Sequence, residues 1–129
     1  MEQKPDKALG LLGLARKAGK LQTGEETVGS MLLEKHARLT VLASDAGAAV
    51  ARKMRGLAEG SRQRVLEVPW DKLTLGAALG KASVSVAAFA DVSMALAFVK
   101  ALPAGTAPTD LIEDLERRVA RVKAKRKKA

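Results

Sequence analysis

A chain of 129 residues is most simply one domain, long enough to bury roughly two thirds of the surface its unfolded form exposes. Its 47% apolar residues include only three aromatics, Trp70, Phe89 and Phe98, so the core must rest on Ala, Leu and Val. The absence of cysteine and the single histidine, His36, exclude disulfide frameworks, thiolate metal sites and multi-histidine metal sites.

The net charge of +9 is unevenly placed. Residues 1–100 carry 15 Lys/Arg against 10 Asp/Glu, whereas residues 101–129 carry 8 against 4. All eight of those cations lie between Arg117 and Lys128: Arg117, Arg118, Arg121, Lys123, Lys125, Arg126, Lys127 and Lys128. A basic body with a more basic end is expected to meet polyanions, above all nucleic acid. No apolar run approaches the length of a membrane span, and the N-terminus has no leader-like apolar segment. The expectation is a cytoplasmic protein with no membrane partner, no cofactor and no metal.

The pattern predicts a first helix over "DKALGLLGLARKAG", with Leu9, Leu12, Ala8 and Ala15 on one face and Gly19 as its stop. Leu21 to Thr23 reads as a short strand. A second helix follows in "TGEETVGSMLLEKH", where Thr23 and Glu26 have the spacing of a capping box, Glu25 suits the helix dipole, and Val28, Met31 and Leu32 form the apolar face. Leu39 to Ala43 reads as a buried strand, "AGAAVARKMRGLAEG" as a third helix, "RVLEVP" as another strand, and "DKLTLGAALG" as a short helix. "VSVAAFA" is a further strand, after which Asp91 opens the helix "VSMALAFVKAL".

Strands alternating with helices at this spacing predict an α/β fold. Helices are expected to cover both faces of a largely buried central sheet, within one domain over residues 1–102. "PAGTAPT", residues 103–109, has the composition of a linker. Residues 110–129 then read as a basic amphipathic helix ending in a disordered tail. Leu111, Leu115, Val119 and Val122 form its stripe, and Glu113–Arg117 and Asp114–Arg118 are i,i+4 pairs. A chain ending near Leu102 is expected to fold.

The segment "GLLGLARKAGKLQTGEETVGS" invites a phosphate-loop reading, which fails. Gly13 to Gly19 has one residue too many between the glycines, and Leu21 follows Lys20 where Ser or Thr should hold a metal. Asp45, Asp71 and Asp91 stand at strand-to-helix junctions, where capping explains them better than catalysis. His36 falls near a helix end beside Lys35 and Arg38, as a surface histidine does. No nucleophile has an identifiable base, so no catalytic residue is assigned and the chain is not expected to be an enzyme.

The order "GLLGLARKAGKLQTGEETV", "LTVLASDA", "LTLGAALGK" and then an apolar strand resembles the kink-turn RNA-binding ribosomal-protein superfamily, the "L-seven-Ae"-like proteins, and within it the bacterial YlxQ-like branch. The likeness covers about Lys7 to Leu102, and "LARKAGK…GEE" is its most specific part. It implies an α/β fold that is a three-layer α/β/α sandwich with a mixed, about four-stranded central sheet, to which this chain adds its basic C-terminal helix and tail. In kink-turn binders the second helix opens with Gly-x-Asn-Glu-x-x-Lys. That helix reads sheared G·A pairs in a widened major groove, its Lys meets phosphate, and a loop before the last strand touches a flipped-out base.

Carried onto this chain, Gly24 matches the pattern. Glu26 stands where the family has Asn, Thr27 where it has Glu, and Ser30 where it has Lys. The apolar loop corresponds to about Lys81 to Val84. An ionised Glu accepts hydrogen bonds but cannot donate, and the missing Lys removes a phosphate contact, so kink-turn affinity should be lower. The residues expected to meet RNA are Gly24, Glu25, Glu26, Thr27, Arg16, Lys17, Lys20, Lys81, Ala82 and Val84, with the basic tail adding sequence-independent affinity.

Three function classes follow. The first is a non-catalytic protein that recognises structured, kink-turn-like or ribosomal RNA. The second is a protein-interaction module of the same fold that has lost specific kink-turn binding, using the stripe of Leu111, Leu115, Val119 and Val122 to dock on a partner helix or on its own body. The third, a nucleic-acid enzyme, lacks a catalytic cluster.

Overall fold

The computed structural model describes the backbone of residues 4–128 and the side chains of residues 7–126; Lys127 and Lys128 of the predicted tail fall outside the described side chains. Ten elements follow one another: α1 (Lys4–Lys17), β1 (Leu21–Thr23), α2 (Glu25–Leu33), β2 (Leu39–Leu42), α3 (Ala48–Ala58), β3 (Val65–Glu67), α4 (Lys72–Leu79), β4 (Val86–Phe89), α5 (Val92–Ala101) and α6 (Thr109–Lys128). The sheet order is β1-β4-β2-β3. β4 runs antiparallel to both neighbours, Leu21 and Leu39 each facing Phe89, while β2 and β3 are parallel with Val41 opposite Leu66. The sheet is therefore mixed and four-stranded, as the resemblance implies.

The two central strands, "LTVL" and "VAAF", are buried at every position. That burial explains why they read as continuous apolar runs rather than alternating ones. α1 packs on α4 and α5, and α2 packs on α3, so helices cover the sheet. Phe89 and Phe98 meet with ring centroids 5.4 Å apart, and Trp70 lies 6.4 Å from Phe98, giving an aromatic cluster inside an otherwise aliphatic core.

The helix starts divide into two kinds. Asp71 caps α4 by accepting from the Thr74 N–H at 2.8 Å, and Asp91 caps α5 by accepting from the Met94 N–H at 2.9 Å. Asp45 accepts at 2.8 Å from the N–H of Lys72, so it secures the start of α4 rather than that of α3. By contrast, α2 and α3 begin at Gly24 (φ 100, ψ 145) and Gly47 (φ 92, ψ 142), with no side-chain cap on either.

The capping box expected of Thr23 and Glu26 therefore does not form. Thr23 is the last residue of β1, opposite Ala87, and the chain turns directly from strand into helix at the residue after it. That turn needs a positive φ, which glycine adopts without a Cβ clash.

α6 is a 20-residue helix reaching Lys128, where the sequence suggested a disordered end. It packs on α5 and buries Leu111 and Leu115, while Val119 and Val122 lie half-buried against the same core. The stripe thus docks on the protein's own body. Of the two predicted i,i+4 pairs, Asp114–Arg118 forms at 3.1 Å, and Arg117 turns to Asp114 at 3.7 Å instead of pairing with Glu113.

Candidate nucleic-acid interface

The sheet has two chemically different ends. At one end β2 and β3 finish and β4 begins; the starts of α2, α3 and α4 gather there. The Gly24 N–H donates to the Val86 carbonyl, and Ala43 donates to Ser85. These bonds bring the first turn of α2 against the segment between α4 and β4. A shallow groove results, lined by Thr23, Gly24, Glu25, Lys81, Ser83, Val84, Ser85 and Val86. Gly24 and Lys81, 57 residues apart in the chain, are thereby neighbours.

Within this groove the backbone supplies the donors. The helix bonds of α2 begin with the Val28 N–H on the Gly24 carbonyl, which leaves the N–H groups of Glu25, Glu26 and Thr27 without an intrahelical acceptor. All three residues are exposed. The space where a Gly24 side chain would stand holds no atom within 4 Å. Glu25 is held aside by Lys53 of α3 at 3.3 Å, an exposed pair of little weight for stability. Glu26 is exposed and has no capping duty, so its carboxylate is available to accept from a ligand.

The other predicted residues are distributed unevenly. Lys81 and Ala82 are exposed on the loop rim, but Val84 is buried, its N–H bonded to the Lys72 carbonyl, so its side chain faces the core rather than a solvent-borne base. Ser83 and Ser85 were not singled out in the sequence. Their alternation with buried Val84 and Val86 in "KASVSV" is the signal that would have placed their hydroxyls on the groove side. Gly76 was also missed. A Cβ there would come within 2.7 Å of the Lys81 carbonyl oxygen and 2.8 Å of the Ser83 Cα, so its bare backbone is what lets the loop close down on α4.

Arg16, Lys17 and Lys20 do not belong to this groove. They are exposed where α1 ends and β1 begins, and the Lys20 carbonyl accepts from Ala90 at the far end of β4. β1 lies between them and Gly24, about 13 Å along an extended chain. Three α6 cations are likewise on the other side: Arg118 donates to the Arg62 carbonyl, and Arg118, Arg121 and Lys125 line a groove with Arg38.

Among the described residues there is no group of three His, Cys, Asp or Glu placed to hold a metal ion. The carboxyl of Asp71 is held below its ordinary value by the backbone N–H and the hydroxyl of Thr74, as befits a helix cap. Burial pushes the Asp114 carboxyl up, but hydrogen bonds and charges from Arg118 and Arg64 outweigh it and leave it below the ordinary value. Neither residue stands at a nucleophile. No described helix is long and apolar enough to cross a membrane.

The sequence matches no protein-family model and no curated protein. Among solved structures the chain is similar to the Giardia lamblia 15.5kD RNA binding protein, with a TM-score of 0.62 over 91% of each chain at 13% identity, a likeness of fold. It is also similar to a protein of unknown function from Bacillus halodurans, with a TM-score of 0.68 and 32% identity over 74% of this chain and 95% of that one. Sharing its fold with the first, and 32% identity across 95% of the length of the second, the chain belongs to the family of the Bacillus halodurans protein.

Proposed function

We propose that this protein is a non-catalytic RNA-binding protein of the YlxQ-like branch that recognises a bent, kink-turn-like element of structured RNA, such as ribosomal RNA. The observation that carries the reading is the groove between Gly24 and the Lys81–Ser85 loop. It offers uncapped helix N–H groups, an open glycine and a lysine on a fold shared with an RNA-binding protein. In this reading the α2 backbone comes close to base edges at Gly24, and Thr27 supplies a hydroxyl that donates or accepts. Glu26 accepts from an exocyclic amino group, and Lys81 meets a phosphate.

The alternative, a protein-interaction module, cannot use Leu111 and Leu115 to dock on a partner helix and would rest on the Glu26, Thr27 and Ser30 departures. Leu111 and Leu115 are buried in the protein's own core.

The test compares binding to a kink-turn RNA and to an unkinked duplex of equal length. The wild-type chain is expected to prefer the kink-turn. Lys81→Gln is expected to weaken it about three- to tenfold, as loss of one phosphate contact does at 0.1 M salt. Equal binding to both RNAs by the wild-type chain would end this reading.

A further inference from the structure

The end of the sheet away from Gly24 carries a second feature. There α2 runs out, β2 and β3 begin, and the C-terminal half of α6 crosses. Two adjoining grooves meet at this place. One is lined by Arg38, Val92, Arg118, Arg121, Val122 and Lys125, the other by Lys35, Arg38, Ser61, Arg62, Gln63 and Arg118. Arg38 and Arg118 line both, so the grooves form one surface whose lining, among the described residues, holds six cations and no carboxylate. The nearest ion-paired carboxylate, Asp114, is engaged by Arg64 at 3.1 Å and Arg118 at 3.1 Å.

The surface is built rather than incidental. Gln63 is a buried polar side chain that accepts from the Ala37 N–H at 3.0 Å and donates to the Leu32 carbonyl at 2.8 Å and to Ser61 Oγ at 3.1 Å. It ties the segment bearing Lys35 and Arg38 to the turn bearing Arg62. Arg118 is fixed between Asp114 and the Arg62 carbonyl, and Arg38 donates to the Lys35 carbonyl at 3.3 Å. Lys35 itself has φ 62, at a helix end where glycine is preferred. Crowding like charges on fixed frames is unfavourable in the free protein and favourable only against an anion.

We infer that this surface is a second nucleic-acid site, which grips the phosphate backbone of a duplex RNA segment independently of the groove at Gly24. Four of the six cations are arginines, whose planar forks match phosphate oxygens. None of the chain's three aromatic residues lines the surface, so it lacks an aromatic platform for stacking unpaired bases. Backbone contact with a duplex is what it offers. The helical frame of α6 places Arg118, Arg121 and Lys125 along one edge, whereas Lys123 and Arg126 line neither groove.

The test uses the full chain and an unkinked RNA duplex across a salt series. Arg121→Gln with Lys125→Gln is compared with Lys123→Gln with Arg126→Gln, which removes the same charge from the same helix. The first pair is expected to lower affinity about tenfold or more at 0.1 M salt and to flatten the log–log salt slope by roughly 1.5. The second pair is expected to do much less. Lys35→Gly is expected to weaken binding while leaving the melting temperature equal or higher, the opposite of what a structural role would give.

Equal losses from the two pairs would overturn the inference and leave a diffuse basic tail; so would failure of the wild-type chain to bind the duplex at all. The kink-turn reading is judged separately, by the preference between the two RNAs. The groove variants should leave that preference unchanged, and its absence would not touch the groove result.

Discussion

At Gly76 a single hydrogen atom in place of a side chain sets the position of the loop that carries Lys81. Gly76→Ala would drive a Cβ into the backbone of residues 81–83, so the loop must lift. The expected cost is about 1–3 kcal/mol, with a loss of RNA preference larger than Lys81→Gln alone produces, measured by thermal unfolding and the two-RNA comparison. Thr40 presents the reverse case. Its Oγ1 is buried in the centre of β2 with no hydrogen-bond partner, a standing desolvation cost. Thr40→Val keeps the shape and removes the orphan hydroxyl; it is expected to stabilise the fold by about 1 kcal/mol in denaturant unfolding. Residue-level chemistry was legible in the sequence where it is local. Asp71 and Asp91 cap the helices they precede because the bond spans three residues. The capping box at Thr23 was misread because strand pairing with Ala87 claims that residue first.

At the scale of elements, α6 matters most. A chain ending at Leu102 was expected to fold, but Leu111 and Leu115 are as deeply buried as the centre of the sheet. Removing them uncovers the outer face of α5. Truncation at Leu102 is therefore expected to lower the melting temperature markedly, and Leu115→Ala alone to cost about 2–5 kcal/mol. Asp114 links this helix to β3 through Arg64. Its folded-state carboxyl sits below the ordinary value of 3.8, so its stabilisation is present above that pH and is lost as pH falls through the lower folded value. Melting temperature should fall below about pH 4, and Asp114→Asn should be less stable at neutral pH but less sensitive to that acid range. The stripe of α6 was visible at helical spacing. Its target was not, because an apolar stripe specifies burial without saying against what.

At the scale of the molecule, the two proposed sites lie at opposite ends of the sheet. In that proposal, shape selection belongs to the end where α2 starts, and charge belongs to the end where Arg118, Arg121 and Lys125 of α6 lie. If so, salt should change absolute affinity steeply while leaving the ratio between kink-turn and duplex RNA nearly constant. A salt series from 0.05 to about 0.5 M on both RNAs measures this; a ratio that collapses with salt would mean that the selective end is also mainly ionic.

Taken by itself, the sequence determined the order of helices and strands, the α/β class with a buried sheet, the aliphatic core and the basic character. Each is written in local periodicity, in short-range capping or in composition. Only the tertiary structure decided which charges work together. Arg16, Lys17 and Lys20 are close to Gly24 in the chain yet lie at the opposite end of β1, while Lys81 joins Gly24 from far along the chain. Arg38, Arg62, Arg118 and Lys125 likewise meet only because β2 pairs with β3 and α6, packed on α5, brings Arg118 to the Arg62 carbonyl. The physical reason is geometric. A strand of a few residues carries the chain from one end of the sheet to the other, so adjacency in sequence becomes separation in space, and distant segments become neighbours through the core they share.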